Sequence, residues 1–213
     1  MIVENWGVTD YRGAWDRQKD IFRTLQEDSS APERIVFTEH KPVYTLGFHG
    51  NASNMIASEQ MLQSRGVELV RIERGGDITY HGPGQLVVYP LLRLAAHHLG
   101  VKQYIECLEK LVIETVKAFG IEASCNKDAI GVWVDWGKPT ARKICAIGVK
   151  ISHGVTMHGL ALNVNTDLSA FSLINPCGFT DKGVTSIEKE VGHPIEMTDV
   201  IRIMCKLIPE CIA

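Results

Sequence analysis

A helix that cannot be stable alone fixes what this chain can fold into. Over residues 101–119, Val101, Tyr104, Ile105, Leu108, Leu111, Val112, Val116 and Phe119 recur at three- and four-residue intervals. Gly120 follows where a helix-ending glycine belongs. Such a stripe needs an apolar surface, and strand-like segments on both sides supply one, the later ones alternating. They cover 2–8, 34–38, 43–46, 67–72 and 86–92 before the helix, and 129–135, 144–151 and 155–164 after it. Trp136-Gly137-Lys138-Pro139 reads as a hairpin turn. Further helices are expected over 12–27 and 58–64, the second stopped by Gly66. A last one is expected behind a Thr198 cap, carrying Val200, Ile201, Ile203, Met204 and Leu207. With no internal repeat, low-complexity run or linker, the reading is α/β in the α+β sense. It is one domain over 1–213, with a mixed, largely antiparallel sheet and flanking helices.

Composition narrows the function. Hydrophobic residues make up 45% of the 213 and charged ones 22%, which suits a globular chain with a sizeable core. A net charge of −3 gives no general attraction to nucleic acid or to an anionic membrane, so neither is expected as a partner. No apolar run approaches the ~20 residues of a membrane span. Met1-Ile2-Val3-Glu4-Asn5-Trp6 lacks the basic and apolar regions of a secretory leader. The six cysteines form no CxxC pair, so reduced thiols in the cytoplasm are expected rather than a disulfide framework.

The stretch 74–85, RGGDITYHGPGQ, joins two apolar runs with four glycines, a proline and several hydrogen-bonding side chains. It is either a long glycine-rich hairpin connection or a backbone that lies close to a ligand. Among the thiols, Cys107 and Cys205 sit in apolar helices and read as small core residues. Cys125 and Cys211 have no chemical neighbour in the sequence. Cys177, between Pro176 and Gly178, is held in a sharply directed backbone. A thiol with pKa ~8.5 is only about 3% thiolate at pH 7, so a nucleophilic cysteine needs a nearby cation. Lys143 is a candidate because the strand it opens continues almost wholly apolar. Alternation puts Lys143 and Cys145 on one face, so periodicity leaves both Cys145 and Cys177 open as its partner. His153 and His158 fall on opposite faces of a continuous strand, and no HExxH pattern occurs, so no metal site is expected. His158 is read as a strand residue beside a ligand or as a satisfied core histidine, and His97-His98 as a solvated pair. Neither GxxxxGK[ST] nor a strand-linked GxGxxG is present, which removes the two familiar phosphate cradles.

These motifs, in this order, resemble the octanoyltransferases of lipoate biosynthesis. The resemblance spans nearly the whole chain. It rests on Arg74-Gly75-Gly76, Thr79, His81-Gly82-Pro83-Gly84-Gln85, Arg142-Lys143-Ile144, Ala146-Ile147-Gly148, His158-Gly159-Leu160-Ala161-Leu162-Asn163 and Asn175-Pro176-Cys177-Gly178. It implies a fold related to the catalytic domains of biotin and lipoate ligases. It also implies an acyltransferase that moves an octanoyl or lipoyl group from acyl carrier protein to a lysine of a lipoyl domain, with no cofactor. The implied acceptors are lipoyl domains of 2-oxoacid dehydrogenase complexes and the glycine cleavage H protein. The resemblance gives the acylated cysteine to Cys177 and its tuning to Lys143. Substrate contacts fall to Arg74, Gly75, Gly76, Asp77, Ile78, Thr79, Tyr80 and His81, with Ala146, Ile147, Gly148, Gly159, Leu160 and Ala161. The alternative on the same fold is an ATP-dependent lipoate or biotin ligase.

Overall fold

The computed structural model describes residues 1–175 and 182–212, with the backbone alone at Glu59. Its main sheet has the order β1-β2-β6-β10-β9-β8-β7, with β11 also paired to β9. In chain order these are β1 (Ile2–Thr9), β2 (Arg34–His40), β6 (Gln85–Leu91), β7 (Ala123–Cys125), β8 (Val132–Val134), β9 (Arg142–Ser152), β10 (Val155–Asn163) and β11 (Gly183–Val184). Among the described residues of this sheet, only β1 against β2 and β11 against β9 run parallel. A second sheet, ordered β4-β3-β5, is built from β3 (Val43–Leu46), β4 (Glu68–Arg71) and β5 (Ile78–His81).

Alternation along the central strands divides two cores. Ile35, Phe37, Leu86, Val88, Leu160 and Leu162 face one side of the main sheet. There they meet α3 (Val101–Lys117) and α5 (Met197–Ile212) through Leu108, Leu111, Val112, Met204 and Ile208. On the other side, Val36, Val87, Leu91, Met157 and Ala161 pack on Phe22 and Leu25 of α1 (Tyr11–Glu27). Asp10 caps α1, accepting from the N–H groups of Arg12 and Gly13 at 3.1 and 3.0 Å. β9 and β10 turn on His153-Gly154, both at positive φ (50° and 74°), the geometry that two-residue hairpins favour.

Most expected elements form, with three differences. The stretch 74–85 contains β5, which pairs antiparallel with β3 instead of forming one long connection. The expected strand 129–135 shortens to β8, because residues 129–131 turn under Trp133, whose Nε1–H donates to the Ala129 carbonyl. Thr198 is the second residue of α5 and so does not cap it. Two short helices, α2 (Glu59–Ser64) and α4 (Ile187–Val191), complete the described elements apart from 3-10 turns. No helix is long and apolar enough to cross a membrane among the described residues.

Candidate functional site

Between the small sheet, the N-terminus of α1 and strands β6, β9 and β10 lies an open-mouthed cavity. Three separated segments that the sequence singled out meet here. Arg74, Gly76, Asp77, Ile78, Thr79 and His81 form one wall. Lys143 and Ala146, Ile147 and Gly148 come from β9, and Gly159, Leu160 and Ala161 from β10. Gly75 and Tyr80 stand outside the lining. The Gly75 N–H is bonded to Val149 O at 2.9 Å, and the Tyr80 ring packs on Tyr44 and Phe171. The glycines have a second duty, letting backbones meet. A Cβ on Gly148 would lie 2.8 Å from Gly75 O, and one on Gly159 would lie 2.0 Å from Val88 O.

A buried chain of hydrogen bonds runs along this wall. The Arg74 guanidinium, at 8% exposure, donates to the carbonyl and hydroxyl of Thr45, both at 2.9 Å. Burial, with His40, Arg74 and His158 nearby, holds the His81 ring neutral, its pKa well below the ordinary imidazole value. Gln85 uses its amide N–H groups on Tyr80 O (3.1 Å) and Asn163 Oδ1 (2.9 Å), so its oxygen accepts from His81 Nδ1–H at 2.7 Å. His81 Nε2 is then the acceptor for the Thr45 hydroxyl at 3.3 Å. Asn163 Nδ2 donates to Thr185 O, and Thr185 N–H to Lys143 O, both at 2.9 Å. Every donor and acceptor in the series is consistent with the next. The series ties the small sheet to the strand that carries Lys143.

Lys143 reaches the cavity because β9 is irregular. Trp133 pairs with Lys143 but Val132 with Cys145, which leaves Ile144 as the extra residue of a bulge. Alternation is broken there. Lys143 joins Ala146 and Gly148 on the cavity side, while Ile144 and Cys145 enter the core under α3. The expectation of Lys143 and Cys145 on one face is therefore corrected. Cys145 is fully buried, and burial pushes its thiol far above the ordinary value. The Lys143 ammonium donates to Ile130 O at 3.1 Å and lies 4.6 Å from the Trp133 ring centre. Next to it, Arg142 is gripped by Glu190 at 2.6 Å through both Nε and Nη2, and by Asp135 at 2.5 Å. Cys177 lies outside the described residues. The described cavity residues nearest to it in sequence are Phe171 before it and Val184 after it. Val184 pairs directly with Lys143.

Several lining residues carried no usable sequence signal: Tyr11, Val87, Tyr89, Phe171 and Val184. His158, which the sequence did single out, is the most telling residue of the lining. It is 2% exposed, takes a left-handed backbone (φ 62°) within β10, and both its ring nitrogens lack a hydrogen-bond partner among the described residues. Of the two sequence readings of His158, the strand residue at a ligand cavity fits and the satisfied core histidine does not. Burial, then Arg74 and Lys150, pushes its pKa down to about 3. Its backbone N–H donates to Gln18 Oε1 at 3.0 Å. His153 sits instead at the exposed hairpin tip, and no group of three His, Cys, Asp or Glu residues suited to a metal occurs among the described residues.

Residues 10–208 match the lipoyl protein ligase A/B catalytic domain family. An octanoyltransferase of Bacteroides fragilis is 52% identical over 203 residues, covering 93% of this chain and 92% of its own length. One from Bacteroides thetaiotaomicron is 50% identical, covering 97% and 93%. Among solved structures, a lipoate-protein ligase A with bound ATP superposes at a TM-score of 0.76 and 16% identity, over 98% of this chain and 84% of that one. The biotin protein ligase of Aquifex aeolicus with biotin and ATP gives a TM-score of 0.55 at 14% identity, over 99% and 69%. These two likenesses show a shared fold.

Proposed function

Because the chain belongs to the lipoyl protein ligase A/B family and, within it, to the octanoyltransferases, we propose how this acyltransferase works. The donor is an octanoyl thioester on the phosphopantetheine of acyl carrier protein. The acceptor is a lysine of a lipoyl domain, in 2-oxoacid dehydrogenase complexes or the glycine cleavage H protein. The observation that carries the reading is Lys143. A buried lysine lines one cavity together with the segments of Arg74, Ala146 and Gly159.

In the first half-reaction the Cys177 thiolate attacks the thioester carbonyl. The C–S bond to phosphopantetheine breaks, and the departing thiolate takes a proton. This exchange of one thioester for another is close to isoenergetic. In the second, the neutral amine of the acceptor lysine attacks the Cys177 thioester and loses a proton. Cys177 leaves as thiolate and an amide remains, a downhill step that needs no ATP. Lys143 favours the Cys177 thiolate and carries the proton between the sulfur and the incoming or leaving group. Ile78, Val87, Ile147 and Leu160 supply apolar walls for the octanoyl chain. The backbone N–H of Gly178 is a candidate donor to the developing oxyanion. The setting is the reducing cytoplasm, where Cys177 stays a thiol.

The test uses octanoyl-acyl carrier protein without nucleotide, followed by intact-mass analysis and mapping. The reading requires that the octanoyl adduct map to Cys177 and pass to an added lipoyl domain. Transfer only with free octanoate and ATP would indicate a ligase instead. An adduct that survives Cys177→Ala would overturn the site.

A further inference from the structure

We propose that Glu109 is a positioning residue for Lys143, acting through the peptide that joins Ile130 to Gly131. This rests on the role given above to Lys143.

Glu109 lies on α3 at 6% exposure, where a carboxylate is costly unless it is bonded. Its Oε1 accepts the Gly131 N–H at 3.1 Å. The carbonyl of the same peptide, Ile130 O, accepts from Lys143 Nζ, also at 3.1 Å. No peptide of the described residues is cis, and in a trans peptide the C=O and N–H share a plane and point in opposite directions. Holding the N–H from the α3 side therefore aims the carbonyl at the ammonium. A carboxylate on the N–H also polarises the peptide and strengthens its carbonyl as an acceptor.

The turn is built for this one arrangement. Gly131 has φ +122°, and a Cβ there would lie 2.6 Å from Cys145 O and 3.4 Å from Lys143 Cε. Trp133 holds the other end of the turn through its 2.9 Å bond to Ala129 O, and offers its ring face to the same ammonium. The groups facing Glu109 are Glu106 on its own helix, the Cys125 thiol of β7 and Lys143 of β9. Burial raises the Glu109 pKa, Glu106 adds to that, and the Gly131 N–H, Cys125 and Lys143 oppose it.

The experiment follows alkylation of Cys177 by iodoacetamide from pH 6 to 10, with mass mapping. The proteins compared are the unmodified chain, Lys143→Met, Glu109→Ala, Glu109→Gln and the Lys143→Met/Glu109→Ala double variant. Lys143→Met is expected to raise the midpoint by about one unit, or tenfold less thiolate at neutral pH. Glu109→Ala raises it by about half a unit, roughly threefold, with the high-pH limiting rate unchanged. Glu109→Gln keeps an acceptor for Gly131 without the charge and brings the midpoint most of the way back. The double variant matches Lys143→Met alone, because Glu109 acts only through Lys143. If the Ala variant does not fold, Glu109→Met repeats the test with the space filled and the acceptor gone. A Glu109→Ala profile that overlays the unmodified one, beside a shifted Lys143→Met, overturns the Glu109 inference and leaves the acyltransferase reading standing. Additive shifts, or equal slowing at every pH, also overturn it. An unshifted Lys143→Met profile removes the role of Lys143 and the inference with it.

Discussion

Acid should unfold this protein through its buried histidines, and His158 allows the effect to be isolated. Its pKa is pushed down to about 3, and that of His40 to about 4, in each case first by burial. Both remain neutral when folded, yet take up a proton near the ordinary ~6.5 once unfolded. The unfolded state thus binds more protons below ~6.5. The stability these groups contribute is whole above that value and falls as pH drops towards the folded pKa. For His158 the loss amounts to about 1.2 kcal/mol per pH unit near pH 5.5, with a ceiling of about 5 kcal/mol by pH 3. Urea unfolding at half-unit intervals from pH 7.5 to 5 measures the slope. His158→Asn, a substitution that tolerates the left-handed backbone, changes packing as well, so the slope rather than the absolute stability is compared. It should flatten the curve by about one proton. Identical slopes in the two proteins would show that His158 is already protonated when folded, or not shielded from water, and the neutral, cavity-facing imidazole would have to be abandoned.

Gln85→Leu should cost about 3 kcal/mol or more, since it leaves His81 Nδ1–H, Asn163 Oδ1 and Tyr80 O buried and unpaired. In a chain of this length that is a fall in Tm of roughly 6–12 °C, readable by calorimetry; a fall under 2 °C would mean that water replaces the amide. Lys143→Met should slow acylation from octanoyl-acyl carrier protein far more at pH 7 than at pH 9, and equal slowing would assign it proton transfer or structure instead of thiolate supply. Cys145 should resist iodoacetamide in the native protein, being fully buried; native-state labelling at Cys145 would contradict the bulge geometry. Gly159→Ala should destabilise the β6–β10 pairing severely, because its Cβ would fall on the Val88 carbonyl, and a soluble variant with unchanged Tm would refute that contact.

Long-period signals were legible in the sequence, and single-residue irregularities were not. The stripe of α3 and the apolar segments of β2, β6, β9 and β10 stand out in the sequence because they are buried against one another in one core. β5 was hidden because its four residues are flanked by glycines that read as a loop, while its reason to be a strand is the distant β3. The bulge at Ile144 has no local mark. Alternation through Lys143 and Cys145 looks regular until β8 supplies a register that cannot match it. Left-handed His158 is equally silent, since what stabilises it is Gln18 on α1, 140 residues away. Tyr11 enters the cavity from the first residue of α1, one position before the expected start.

The glycine-rich motif also has a second meaning. Read for function, its polar side chains looked like donors to a substrate. Arg74, His81 and Gln85 do line the cavity, but each is also committed to a named partner in the chain from Thr45 to Thr185. The neutral His81 imidazole, bonded at both nitrogens, has little capacity left for a ligand, whereas His158, whose ring nitrogens have no partner among the described residues, has all of its own. The motif is therefore better understood as the strut that sets the small sheet against β6 and β10, and through Thr185 against the backbone of Lys143. Breaking the strut anywhere should move Lys143, even where the broken residue never meets the acyl chain. This gives a measurable asymmetry: Asn163→Ala should shift the pH midpoint of Cys177 alkylation as a Glu109 variant does, whereas changes to the apolar wall, such as Ile78→Ala, should weaken acyl binding at an unshifted midpoint.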